Sequence, residues 1–378
     1  MVCDIDENGK AHVIALYLMS GETTELLTAG LTSLSKAFEL VIGEPWAGPS
    51  ESMADTCAAI AASITAVFPN CKKAVCWFHC CQGLERNQGK FSSDEAFRAF
   101  KEQVRLLHSM TDTEAFTVGL RLLFTRWRSK EPEAVQWFET YWGTAGRCEW
   151  HAGATSHGRP ATNNGTESQN GIFKRYATRR KRCNFGTVLG MLVEELKFQS
   201  LLSPTRRRQI ILPTKKEWEM AQRWARQHEQ HLTRQQDGAI YVPSHHTTTA
   251  AYLRADAQRR ADLVARWVGR RCDTWQKKET VKSFVARHQT FYKVQLLPQE
   301  HPQLPHPSGV FNPYGVFKCT CPASFKCGRC KHALALAILD KHVQVPAQYV
   351  IDLPPTIRKR GHPANAPVQQ PKRRRTDA

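Results

Sequence analysis

No run of apolar residues in this sequence approaches the ~20 needed to cross a bilayer as a helix, which excludes a helical membrane span. The N-terminal residues lack the charged-then-apolar pattern of a secretory signal peptide. No internal repeat is present, which sets aside a repeat architecture. Acidic side chains are scarce: 34 Asp and Glu stand against 53 Lys and Arg, a net charge of +19 and a pI near 9.5. That imbalance points to an anionic partner, nucleic acid first and an anionic membrane surface second. Thirteen cysteines, an odd count without a secretion signal, argue against a disulfide framework and for reduced thiols and metal binding. With 378 residues, 41% of them hydrophobic, the chain can form two or three domains with a sizeable core.

The chain opens on an expected hairpin. Val2–Asp6 and His12–Leu18 read as strands around a Glu7-Asn8-Gly9-Lys10 turn, because Asn-Gly supplies the positive φ a tight turn requires. Leu26, Leu27, Leu31 and Leu34 follow at helical spacing. A short strand ends near Asp55, and a helix from about Thr56 stops before Pro69. Ala74–Phe78 reads as a buried strand, and residues 92–141 as aromatic-rich helices. Another helix is expected from near Glu167, and helical segments continue to about Arg287, one opened by the capping box Thr214-Lys-Lys-Glu217. Phe291–Leu296 reads as a strand, and a Pro-rich connection follows. Beyond Pro346 the sequence is polar, Pro-rich and basic, the composition of a disordered tail.

Near the C-terminal end, Cys319-Thr-Cys321 is followed, after eight intervening residues, by Cys330-Lys-His332 and then an apolar helical run, Ala333–Leu339. Three thiolates and one imidazole suit a closed tetrahedral zinc site. The two residues of a CxC pair fall on one side of an extended strand, and Cys330 and His332 fall at a helix start. Cys327 stands in CxxC spacing to Cys330 and could compete for one position. The order CxC, spacer, CxH resembles the SWIM zinc finger, which implies a structural zinc held by Cys319, Cys321, Cys330 and His332.

Three further pieces occur in order: Met53-Ala54-Asp55 before an Ala/Ile helix ending in Val67-Phe68-Pro69, then Cys76-Trp77-Phe78-His79, then Thr162-Asn163-Asn164-Gly165-Thr166-Glu167-Ser168. Together they resemble the transposase domain of Mutator-like elements, a family that often carries a SWIM finger downstream. The resemblance implies DNA strand cleavage and joining by two divalent ions, with Asp55 and Glu167 at the second and third acidic positions and Cys76 and His79 at a C-x-x-H pair. It places the first acidic residue on a strand ahead of the hairpin, where Asp4 and Asp6 do not fall. The expected fold is therefore α/β: a ribonuclease H-like sheet missing its first strand, with a helical insertion (about 85–150) inside residues 1–200. A helical linking region (205–290), a small ββα SWIM zinc finger (291–345) and a basic tail (346–378) follow. Without the first carboxylate to bridge two ions, catalysis is expected to be lost, while Mg²⁺ or Mn²⁺ at Asp55 and Glu167 remains the expectation if activity is retained.

Bland readings stand beside these. Asp55 fits an N-cap and Glu167 fits a capping box with Asn164. Cys76 and His79 fit buried core, a thiol nucleophile with its base, or a zinc set with Cys71, Cys80 and Cys81. The run Lys174, Arg175, Arg179, Arg180, Lys181 and Arg182 fits either a solvated helix face or a DNA phosphate contact. Arg358-Lys-Arg-Gly-His-Pro363 resembles a degraded AT-hook core, and Lys372-Arg-Arg-Arg375 reads as a nuclear localisation cluster. His228, His231, His245 and His246 read as exposed polar residues. The reading with most support is a nuclear zinc- and DNA-binding protein derived from a transposase. An active DDE-type transposase, a domesticated transcription regulator and a SWIM-mediated protein-interaction module are the alternatives.

Overall fold

The computed structural model describes residues 2–5, 11–17, 19–144, 146–155, 161–176, 183–202, 212–235, 238–244, 247–269, 274–297 and 316–351. The architecture is mixed α/β and dominated by helices.

The N-terminal part carries two separate two-stranded sheets. Strands β1 (Val2–Ile5) and β2 (Ala11–Ala15) form an antiparallel hairpin. Helix α1 (Thr24–Ile42) follows, with Thr23 Oγ1 accepting from Leu26 N and Gly43 closing the helix at φ 82°. Strand β3 (Glu51–Ala54) runs parallel to β4 (Lys72–Val75), and α2 (Ala58–Val67) makes the crossover between them. The expected strand 74–78 stops at Val75. Cys76 N donates to Ala54 O at 2.8 Å as the last bond of the parallel ladder, and α3 (Trp77–Arg86) begins at the next residue. An apolar run without alternation fits strand and helix equally well, and here it serves both.

The insertion is a helical core. Helix α4 (Asp94–His108) is capped by Ser93 and buries Phe97, Phe100, Val104 and Leu107 on one face. Helix α5 (Thr113–Trp127) is capped by Asp112, and α6 (Pro132–Trp142) starts with Pro in its first turn. Phe100 lies at the centre, edge-on to Trp127 at 5.5 Å and to Phe138 at 5.3 Å. Such pairs add roughly 0.5–1.5 kcal/mol each beyond the area they bury.

Helices α7 (Asn164–Tyr176) and α8 (Phe185–Leu202) come next, and α7 packs on the β1–β2 hairpin. Helix α9 (Lys215–His228) opens with the full capping box between Thr214 and Glu217. The helical stretch expected as far as Arg287 is then interrupted. The short strand β5 (Thr233–Arg234), a turn through Gly238 at φ 75° and β6 (Ile240–Pro243) form a hairpin, and all four β6 residues are buried. Ile-Tyr-Val is a β-favouring run, and its burial outweighs the helical surroundings. Helices α10 (Thr247–Arg254) and α11 (Ala257–Val268) lead to α12 (Val281–His288).

Helix α12 completes the insertion core, where Val281, Phe284 and Val285 join Phe100, Leu107 and Phe116. Arg126 of α5 secures it by donating to the carbonyls of Lys277 (2.6 Å) and Glu279 (3.0 Å). The segment expected as a linking region thus packs on the insertion at one end, through α12, and on the C-terminal helix of residues 331–339 at the other, through α9.

The segment expected as a small ββα finger is not an isolated ββα unit. Strands β7 (Phe291–Leu296) and β8 (Phe317–Cys319) extend the β5–β6 hairpin into a four-stranded antiparallel sheet, order β5-β6-β7-β8. After α13 (Pro322–Cys327), helix α14 (Lys331–Leu339) lies against α9 with His332 through Ala337 buried. Burial on this scale needs more apolar surface than two strands and one helix supply.

Candidate metal centre and carboxylate edge

Local geometry brings four ligand atoms together. Cys319 ends β8, Cys321 is the N-cap of α13, Cys330 is the N-cap of α14, and His332 sits in the first turn of α14. The three Sγ atoms and a ring nitrogen of His332 all lie within 4.8 Å of one another, and all four residues are buried. His332 faces the sulfurs through Nδ1, 3.7 Å from Cys319 Sγ. Tetrahedral zinc with bonds of ~2.3 Å to sulfur and ~2.0 Å to nitrogen needs ligand atoms roughly 3.5–3.8 Å apart, so the set fits with little movement.

The three thiols differ in how readily they ionise. Burial pushes the Cys319 thiol well up, while hydrogen bonds from Cys319 and Cys321 hold Cys330 well below the ordinary thiol range. Backbone N–H groups at two helix starts point at sulfur, Ser324 N at Cys321 (3.4 Å) and Ala333 N at Cys330 (3.3 Å). Trp224 and Tyr292 wall His332, with ring centroids 5.2 and 5.7 Å away. This Cys₃His cluster could hold a zinc ion. The side chain of Cys327 lies outside the described residues.

His228, expected to be exposed, is buried against Trp224 at 4.4 Å, and its Nδ1 pairs with Trp224 O at 2.9 Å. A lone histidine on a helix carries no sequence mark of which face it takes. His245 and His246 lie outside the described residues.

A second cluster forms where β3 and β4 end. Asp55 follows β3, and its Oδ1 accepts from Cys57 N at 2.9 Å, a turn ahead of α2 rather than the helix cap itself. Cys76 follows β4, fully buried, and its Sγ accepts from Asn163 N at 3.4 Å. Burial raises its thiol, which does not favour a thiolate nucleophile. His79, in the first turn of α3, places Nε2 3.4 Å from Glu167 Oε1, and Trp77 N donates to Ala161 O at 2.9 Å. The Glu167 carboxylate thus faces another helix, where a capping box would turn it back on its own. Asp55 follows β3 and Cys76 follows β4 at the C-terminal end of the parallel pair, the usual place for chemistry in such sheets, and His79 and Glu167 face each other beyond Cys76. Among the described residues, however, the Cys₃His cluster is the one set of three or more ligand atoms so closely grouped.

Sequence reading missed the supporting contacts. Asn163 binds Cys76, and Cys3 of β1 shares a hydrogen bond with Thr166, which ties the hairpin to the start of α7. Only the Asn-rich loop ahead of Glu167 hinted at them. Lys174 and Arg175 are exposed in the last turn of α7, and Arg179, Arg180, Lys181 and Arg182 lie outside the described residues.

Residues 1–83 match the family model of the MULE transposase domain. The matched stretch runs from β1 into α3 and contains Asp55, Cys76 and His79, while Glu167 lies beyond it. Comparison with curated proteins gives no match, and comparison with solved structures gives none either. The MULE match suggests a transposase-derived protein and, with it, interaction with DNA. No helix among the described residues is long and apolar enough to cross a membrane.

Proposed function

We propose that this chain is a nuclear, zinc- and DNA-binding protein derived from a Mutator-like transposase. The observation that carries the reading is the buried Cys₃His cluster, whose ligand atoms lie within 4.8 Å of one another on a chain whose first 83 residues match the transposase domain. On this reading Cys319, Cys321, Cys330 and His332 hold structural zinc in a SWIM-type finger built into a larger sheet. The basic run that starts at Lys174 and Arg175 contacts phosphates.

The reading extends to the N-terminal sheet. A ribonuclease H-like sheet would contain both a hairpin and a parallel pair, and the described residues hold one of each as separate sheets. Two-stranded sheets are marginal alone, and parallel pairs are normally buried on both sides. Asp55 and Glu167 then serve as remnants of a metal site able to hold one Mg²⁺ or Mn²⁺ weakly, two carboxylates being fewer than efficient two-ion strand transfer needs.

Purified chain tests this in three arms. Metal analysis should give one zinc per chain. Binding to duplex DNA should be tight at low salt and fall steeply as salt rises. Supplying Mg²⁺ or Mn²⁺ should produce no nicking of the DNA. A zinc-free, folded chain or one indifferent to DNA overturns the reading, and metal-dependent nicking replaces it with an active transposase. A fluorescent fusion that stays out of the nucleus removes the assignment of compartment.

A further inference from the structure

The loop between the first two metal-ligand positions is held from both sides. Thr320 sits between Cys319 and Cys321. Its N–H donates to Lys293 O of β7 at 2.9 Å, and its Oγ1 accepts from Lys293 N at 2.9 Å. Its carbonyl accepts from Thr111 Oγ1 at 3.3 Å. Thr111 belongs to the turn between α4 and α5, so the insertion touches the metal loop directly.

The same turn is tied to the base of β7. Gln289 Nε2 donates to Ser109 O (3.1 Å) and to Ser109 Oγ (2.9 Å). Ser109, Thr111, Thr320, Lys293 and Gln289 therefore close a ring of contacts between insertion and finger sheet. Beneath it, Gly153 N donates to Met110 O at 3.0 Å, and a Cβ at Gly153 would stand 2.3 Å from Thr111 O. Helix α13, which Cys321 caps, packs against this 152–154 turn. The turn in turn reaches β4, through Lys72 Nζ to Gly153 O (3.1 Å) and Val75 N to Glu149 O (3.0 Å).

We propose that the metal centre is a clasp between the finger and the helical insertion. An ion on Cys319 and Cys321 fixes the carbonyl of Thr320 where Thr111 can reach it, and order in the 109–111 and 152–154 turns comes to depend on metal. With no ion, the loop keeps its two bonds to Lys293, but the ligand side chains on either side of Thr320 are held only by sulfur contacts of 3.4–3.7 Å, weak donors and acceptors that let the Thr320 carbonyl shift relative to Thr111. The inference rests on the zinc reading above, and its failure is separable from that reading.

Amide hydrogen exchange on the full chain, zinc-loaded and chelator-treated, tests it with zinc content measured on the same samples. Removing zinc should speed exchange in residues 109–113 and 152–155 by roughly tenfold, beyond any change in α6. Thr111→Val, which leaves every ligand in place, should keep one zinc per chain and still loosen the 109–113 turn. Loosening of 316–339 on chelation with 109–113 unaltered overturns the clasp alone, as does a Thr111→Val chain that exchanges like wild type. A chain that takes up no zinc overturns the metal reading and the clasp together.

Discussion

His79 Nε2 lies 3.4 Å from Glu167 Oε1, and this contact joins the helix after β4 to the first turn of α7 across 88 positions of sequence (167 minus 79). The two side chains remain part-exposed, 26% and 44%, so the pair contributes little to stability but leaves the carboxylate open to an ion.

Glu167→Gln keeps the shape and removes the charge. On the proposed reading it lowers Mg²⁺ or Mn²⁺ affinity about tenfold or more, while unfolding free energy changes by less than about 1 kcal/mol. Isothermal titration of both proteins checks this. Identical metal affinities would leave Glu167 with only its contact to His79.

His151 makes the fold sensitive to acid. It is buried, stacked on Phe116 at 4.1 Å and bonded through Nε2 to Thr113 Oγ1 at 3.2 Å, and burial pushes its pKa from 6.5 down to about 4. Between those values the unfolded chain takes up a proton that the folded chain refuses, so stability falls as pH drops from 6.5 to about 4. The loss from this one residue is of order 3 kcal/mol. His108, also lowered by burial, adds to it. His151→Phe should flatten the slope of chemical-denaturation midpoint against pH over this range, and an unchanged slope would place the titration elsewhere.

Lys174 and Arg175 are exposed on α7, next to the remaining basic run. Changing both to Gln should weaken DNA binding about equally for all sequences. It should also reduce the salt slope of the binding constant by about two, because counterion release counts phosphate contacts. Fluorescence anisotropy over a salt series reads both, and an unaltered slope moves the DNA surface away from α7.

Features written within a few residues were legible in the sequence. Thr214 and Glu217 announced the start of α9, Phe291–Leu296 announced β7, and the four metal-ligand candidates fall within 14 residues (319–332) and meet in space. Long-range packing left no such mark. Arg126 and Glu279 meet across 153 positions, and nothing around Val281, Phe284 or Val285 says that α12 finishes a core begun at Phe97. The finger's extra strands went unseen for a related reason: Thr233–Arg234 is too short to show a period, and Ile240–Pro243 fits a buried strand or a helix segment until its partner β7 is known. The uniformly apolar run Val75-Cys-Trp-Phe carries no mark of a strand end, which the bonds from Cys76 N to Ala54 O and from Trp77 N to Ala161 O fix.

Zinc content of the purified chain, before and after Cys319→Ser, tests the central claim most directly. Cys319 lies deepest in the cluster, fully buried, with its Sγ 3.7 Å from His332 Nδ1. The account predicts one zinc per wild-type chain, a content well below one after the substitution, and loss of folded structure in residues 316–339 on chelation. A wild-type chain that folds without zinc, or a serine variant that keeps its full complement, would contradict it.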